Sequence, residues 1–180
     1  MKERMEDINP DIRVNARRCF FTEENSADFD FSLYDYVVDA VDTVSAKIAL
    51  VERCRESGRP IISSMGAGNK LDPTAFEVCD IQKTSVCPLA KVMRTELRKR
   101  GINHLKVVYS KEQPIKPQKE IKTENRRFTP GSVAFVPSAV GLIIAGEVIR
   151  DIYSGIILIY SNWVWKKNRV YNQHLSFYPL

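Results

Sequence analysis

The chain has 180 residues, of which 44% are apolar and 27% charged, enough for one globular domain with a real core. Its net charge of +5 is compatible with an anionic partner such as a nucleic acid, although on charge alone an ordinary mildly basic protein is the favoured reading. No C-x-x-C pair occurs among Cys19, Cys54, Cys79 and Cys87, no apolar leader follows Met1, and no 18-residue apolar run is present. A zinc ribbon, a secretory signal and a membrane span are therefore not expected, and free thiols in a reducing cytoplasm are.

Residues 2–8 have the character of the last turns of a helix, stopped at Asn9-Pro10. Alternation at Ile12, Val14 and Ala16 predicts a strand, and residues 25–33 predict a short helix. The apolar run at Tyr36-Val37-Val38 suits a parallel strand covered on both faces, over residues 34–40. A helix follows over 43–57, with Val44, Ile48, Val51 and Cys54 as its stripe and Gly58 placed to end it. Residues 60–64 predict the next strand, followed by Gly66-Ala67-Gly68. Strand, helix, strand with short connections is a βαβ unit, so the fold class is α/β with a mostly parallel sheet and flanking helices.

Residues 76–81 and 105–109 predict two more strands. Between them, residues 88–100 predict a helix with Pro88 at its first position and Gly101 beyond its end. Residues 110–127 hold six Lys/Arg and three Asp/Glu with two prolines, and predict a mobile loop, either a solvated linker or an RNA contact. An apolar helix with small residues at Ala139, Gly141, Ala145 and Gly146 is expected over 137–153. From residue 154 the character changes, so a domain over 1–153 and an atypical tail over 154–180 are expected.

The chemistry-bearing feature is Asp39-Ala40-Val41-Asp42-Thr43 at a strand end. In doubly wound sheets ligands bind outside the carboxyl ends of the strands. Asp42 there can hold a hard cation such as Mg²⁺ beside nucleotide phosphates, or can simply cap the helix, as can Thr43. Asp39, still inside the strand, is a buried carboxylate and needs a partner, either a metal or a neighbouring N–H. Gly66 and Gly68 open on the same edge, where glycines allow close approach to a ligand or serve a tight turn. No Ser-His-Asp or Cys-His arrangement is visible, and His104 and His174 read as structural.

Taken in order and spacing, several stretches resemble the ubiquitin-activating-type adenylyltransferases, and within them the branch that cyclises threonylcarbamoyladenosine in tRNA. They are Glu3-Arg4-Met5-Glu6-Asp7-Ile8-Asn9-Pro10, Tyr36-Val37-Val38-Asp39-Ala40-Val41-Asp42-Thr43-Val44 with Lys47, residues 60–74, residues 80–84, and Gly131-Ser132-Val133-Ala134-Phe135-Val136-Pro137-Ser138 running on to Ile149. The resemblance covers residues 1–151. It implies a Rossmann-like fold that uses ATP and Mg²⁺ to adenylate a carboxylate, here the threonyl carboxylate next to the anticodon. It implies Asp42 as the metal-binding aspartate and Thr43 as a nucleotide contact, with tRNA as partner, a homodimer as the assembly, and sulfur-transfer proteins as further partners.

The resemblance also implies a glycine-rich phosphate loop, and no G-x-G-x-x-G occurs in the 180 residues. A fold truncated at its N-terminus is therefore expected, with the strand near residue 38 left at an open edge. Two alternatives stand beside the dehydratase: a non-catalytic binding or dimerisation remnant, and a sulfur-carrier-protein adenylyltransferase. The absence of the paired C-x-x-C motifs of the sulfur-transfer relatives favours the tRNA branch.

Overall fold

The structure, a computed structural model, describes residues 1–115 and 130–167, and of 156–167 the backbone alone. Residues 168–180 of the expected tail therefore lie outside the described residues, and so does most of the expected loop over 110–127.

Among the described residues four strands form one sheet: β1 (Val37–Asp39), β2 (Ile61–Ser64), β3 (Phe76–Asp80) and β4 (Lys106–Ser110), in the order β1-β2-β4-β3. β1 pairs with β2 and β2 with β4 in parallel, while β3 runs antiparallel to β4. The sheet is thus mixed and mostly parallel, with flanking helices, as the βαβ pattern predicts. β1 stands at an edge, and no strand covers its outer side among the described residues.

The α-helices among the described residues are α1 (Lys2–Ile8), α2 (Val44–Glu56), α3 (Pro88–Lys99) and α4 (Phe135–Lys167). α2 and α3 cover one face of the sheet, where Ile48, Val51, Met93 and Leu97 meet Val107 and Tyr109. α4 covers the other, where Val136, Val140 and Ile144 meet Ile62, Val108 and Phe76. β4 shows why one strand serves both layers: Val107 and Tyr109 point to one side and Val108 to the other, as the two-residue period requires. α3 starts with Pro88 at its first position, and α2 and α3 are followed by Gly58 and Gly101 at φ 66 and 68, a conformation glycine adopts without steric cost.

Three expectations are corrected. The strand at residues 12–16 does not form; Ile12 is exposed and, among the described residues, no neighbouring strand is there to receive the ladder bonds. The helix at 25–33 is two 3₁₀ turns, Ser26–Asp28 and Phe31–Leu33, broken at Asp30, whose carboxylate accepts the Ser32 N–H. Phe31 then packs with Leu50 and Cys54 as a small core of its own. Finally, α4 continues past residue 153 to Lys167.

Candidate functional site

The carboxyl ends of β1 and β2 lie side by side, and a cleft of about 280 Å³ opens above them. Its walls are the β1 exit (Ala40, Val41, Asp42), the β2 exit (Ser64, Met65, Gly66, Ala67), Leu89 at the start of α3, and Pro137, Val140, Gly141 and Ile144 on α4; Lys47 of α2 also lines it. A larger cleft of about 470 Å³ lies at the opposite edge, between Arg55, Arg59, His104 and Lys106. The smaller cleft is the better candidate, because crevices outside the carboxyl ends of parallel strands are where such sheets bind ligands. In the larger one Lys106 is already paired with Glu147 and Asp151, and His104 Nδ1 with Asp80.

Asp42 is exposed at the cleft rim, and its carboxylate has no hydrogen-bond partner among the described residues. Thr43 is the N-cap residue of α2, but its side chain makes no capping bond. Neither residue does the capping job that spacing alone allows it. The amide N–H groups of the first turn of α2 are thereby left without a side-chain acceptor, at the positive end of the helix dipole.

Asp39 occupies a different setting. It is fully buried, and both its oxygens are taken. Lys47 Nζ lies 3.1 Å from each oxygen, the Ser63 hydroxyl donates to Oδ2, and the Val41 N–H donates to Oδ1 at 3.2 Å. Lys47 Nζ also donates to the Ser64 carbonyl at 2.7 Å. The partner that a buried carboxylate requires is thus a lysine, eight residues on in the next helix. Lys47 stands inside the stretch that carries the resemblance, which gives it no role. The signal for one was present: it is the single charge in the run Ala46-Lys47-Ile48-Ala49-Leu50-Val51.

The two glycines separate. Gly66 lines the cleft, and a Cβ there would meet nothing within 4 Å. Gly68 does not line it; a Cβ there would come within 2.8 Å of the Pro130 Cβ. Its small size admits the returning chain, which is fastened next door where Asn69 N–H donates to the Gly131 carbonyl and Gly131 N–H to Asn69 Oδ1, at 2.8 and 2.6 Å.

No cysteine is among the residues that line the cleft. Burial, with the charge of Asp39 adding to it, pushes the Cys54 thiol up to about 11. Burial likewise raises Cys79. Among the described residues no group of three His, Cys, Asp or Glu can enclose a metal. One exposed, unpaired carboxylate does fit Mg²⁺, which keeps most of its waters and takes further oxygens from substrate phosphates. Also among the described residues, no helix is long and apolar enough to cross a membrane.

The resemblance drawn from the sequence is borne out. The chain is 45% identical to the tRNA threonylcarbamoyladenosine dehydratase of Bacillus subtilis over 167 residues, which is 87% of this chain and 65% of that protein. The fold matches crystal structures of the Escherichia coli tRNA N6-threonylcarbamoyladenosine dehydratase in complex with ATP and with AMP, at TM-scores of 0.74 and 0.73 and 29% identity. Each match covers 86% of this chain and 63% of the other. The chain therefore spans just under two thirds of the length of these relatives. The ThiF family model matches residues 1–176, and the chain belongs to that family.

Proposed function

We propose that this chain carries the metal-side and substrate-side part of an ATP-dependent dehydratase site that cyclises threonylcarbamoyladenosine in tRNA. The observation that carries the reading is the pair Asp42–Thr43, which stands at the mouth of a helix at the carboxyl end of a parallel strand and makes no capping bond. Solved relatives with ATP and AMP bound support a nucleotide as ligand.

The chemistry follows from the substrate. A free carboxylate is a poor acyl donor, because its negative charge repels a nucleophile and oxide is a poor leaving group. Attack of a threonyl carboxylate oxygen on the α-phosphorus of ATP forms a carboxyl–phosphorus bond and expels pyrophosphate. A nucleophilic atom of the neighbouring carbamoyl group then attacks the activated carbonyl and gives up its proton, the acyl–oxygen bond breaks, and AMP leaves with the former carboxylate oxygen. When bound, Mg²⁺ would neutralise phosphate charge at Asp42. The open N-terminus of α2 offers N–H groups to phosphate oxygens. Gly66 leaves room for the substrate to approach the β2 exit. The cleft is small for a whole nucleotide, so it would take the metal and the phosphate end of one.

Titration of the folded chain with Mn²⁺ and ATP, followed by electron paramagnetic resonance, tests the reading. Binding that disappears in Asp42→Ala supports it. Binding that Asp42→Ala leaves intact, or no binding by the chain at all, counts against it. Incubation with tRNA bearing threonylcarbamoyladenosine, scored for loss of one water by mass spectrometry, then tests turnover.

A second reading, a non-catalytic dimerisation module, is favoured by the surface. Among the described residues β1 presents an open edge with Val38 exposed, and α4 exposes Phe135, Leu142, Ile149 and Ile152 along one stripe. Both features suit a second copy of the chain. The homodimer belongs to the first reading as well.

A further inference from the structure

We propose that Lys47 is a positioning residue that sets Asp42 against Gly66, and that it is not itself a ligand for substrate or phosphate. The proposal rests on the adenylation reading only for what the cleft binds; the geometry stands without it.

A lysine ammonium has three protons and no acceptor. Those of Lys47 face three acceptors: both oxygens of Asp39 and the carbonyl of Ser64. Its position in the cleft lining thus offers a ligand no unspent donor. The three acceptors lie on two different strands. Asp39 is the last residue of β1, and Ser64 the last of β2.

The β1–β2 ladder ends at the pair Asp39–Ser63. Beyond it, the link between the two exits runs through Lys47. On one side Asp39 Oδ1 accepts the Val41 N–H, which fixes the turn that carries Asp42. On the other, the Ser64 carbonyl is held one residue before Met65 and two before Gly66. Lys47 also belongs to the first turn of α2, so the same ammonium ties in the helix end bearing Thr43. One side chain therefore sets three lips of the cleft relative to one another.

A purely stabilising role explains this poorly. A buried ion pair is often no more stabilising than well-packed apolar residues of the same volume. What apolar packing does not supply is a directed bond from each strand exit to a common point.

Three full-length variants decide the matter: Lys47→Met, the double variant Asp39→Asn/Lys47→Met, and Asp42→Ala. Lys47→Met leaves a buried carboxylate without its counter-charge and is expected to lose stability in urea. The double variant removes that charge and is expected to regain much of the loss. Hydrogen exchange is then read at residues 40–46 and 64–67, with 107–109 as the internal reference. In the double variant the two exits are expected to exchange about tenfold faster than in the wild type while the reference stays protected.

Exits that exchange at the wild-type rate in the double variant overturn the proposal. So does a double variant no more stable than Lys47→Met, since the pair then has no function separable from stability. Asp42→Ala is expected to leave exchange unchanged. If the wild type binds no Mn²⁺ with ATP, the adenylation reading falls, and the exchange result still judges Lys47.

Discussion

Lys47 Nζ sits 3.1 Å from Asp39 Oδ1 with the two side chains 2% and 0% exposed, so a full ion pair is sealed beneath the cleft between α2 and the sheet. Removing one member strands the other charge in a medium that solvates it poorly. Asp39→Ala is expected to cost about 3–5 kcal/mol of unfolding free energy, as for other broken buried pairs. Urea denaturation at neutral pH measures it, and a loss below about 1 kcal/mol would mean that water reaches the pair.

Asp42 is expected to behave in the opposite way. Its carboxylate is exposed and unpaired among the described residues, so Asp42→Ala should change stability by no more than about 0.5 kcal/mol. The same substitution is expected to remove metal–nucleotide binding. A variant that unfolds would show that Asp42 has a structural task that its surroundings conceal.

The contrast between these two aspartates marks what the sequence makes legible. Period and punctuation are enough for all four strands, α2 and α3, because Val37, Ile62 and Val107 stand in short apolar runs and Gly58 and Gly101 end the helices. Position at a strand end is enough to single out Asp42 and Gly66, which line one cleft, and Thr43, which stands next to Asp42 as the N-cap of α2. The partner of Asp39 is harder to see, because Lys47 lies on the apolar face of a helix and its meaning depends on Ser63 and Ser64 arriving from another strand. Gly68 is harder still: its neighbour, Pro130, is distant in sequence. The alternation at Ile12, Val14 and Ala16 misleads because a strand needs a neighbour to accept its hydrogen bonds, and local pattern does not report one.

The pin between α4 and the sheet gives a pH prediction. Lys106 Nζ bonds Glu147 at 2.6 Å and both oxygens of Asp151 at 2.8 Å, and the Tyr36 hydroxyl donates to Asp151 at 2.6 Å. Hydrogen bonding to Lys106 holds Glu147 below its ordinary value against the effect of burial. Burial pushes Asp151 up, but the bonds from Lys106 and Tyr36 outweigh it and leave the carboxyl lowered. Both groups are depressed in the fold, so their contribution is present above the unfolded values, 4.5 and 3.8, and is lost as pH falls through the folded ones. Stability is expected to fall below about pH 4.5, and Asp151→Asn to flatten that limb. Asp151 is more than a third exposed, so screening keeps its share modest.

At the alkaline end the sign reverses. Burial, together with the bond to Asp151, raises the Tyr36 hydroxyl well above its ordinary value of 10.0. A raised group gives its full contribution below the unfolded value and loses it as pH climbs toward the folded one. Thermal melts between pH 9 and 11 are therefore expected to show a decline that Tyr36→Phe reduces. An unchanged decline would assign it to other tyrosines or to lysines.

Gly66 and Gly68 are expected to separate folding from binding. Gly68→Ala places a methyl group within 2.8 Å of Pro130 Cβ, a contact that forces a backbone shift and costs about 1–3 kcal/mol. Gly66→Ala meets nothing within 4 Å, so the chain should stay as stable as wild type. Its methyl group would stand in the lining of the cleft, and nucleotide or substrate binding should weaken. Melts paired with binding titrations check both variants, and a Gly66→Ala chain that binds unchanged would move the substrate away from the β2 exit.

The exposed stripe of α4 bears on the proposed homodimer. Phe135, Leu142 and Ile149 recur every seven residues, each followed three residues on by Ser138, Ala145 and Ile152, and all six are exposed. A seven-residue repeat is the period at which one helix keeps a face toward another. The side chains that hold α4 to the sheet, Val136, Val140 and Ile144, are a separate set. Leu142→Glu/Ile149→Glu should therefore leave the fold intact, because these side chains are 76% and 66% exposed. In a symmetric dimer each substitution appears twice, which puts four carboxylates at the seam. Light scattering is expected to show a dimer for the wild type and a monomer for the double variant, with the same far-ultraviolet circular dichroism. A dimer that survives the substitutions would place the contact elsewhere, and the open edge of β1 at Val38 would be the next surface to block.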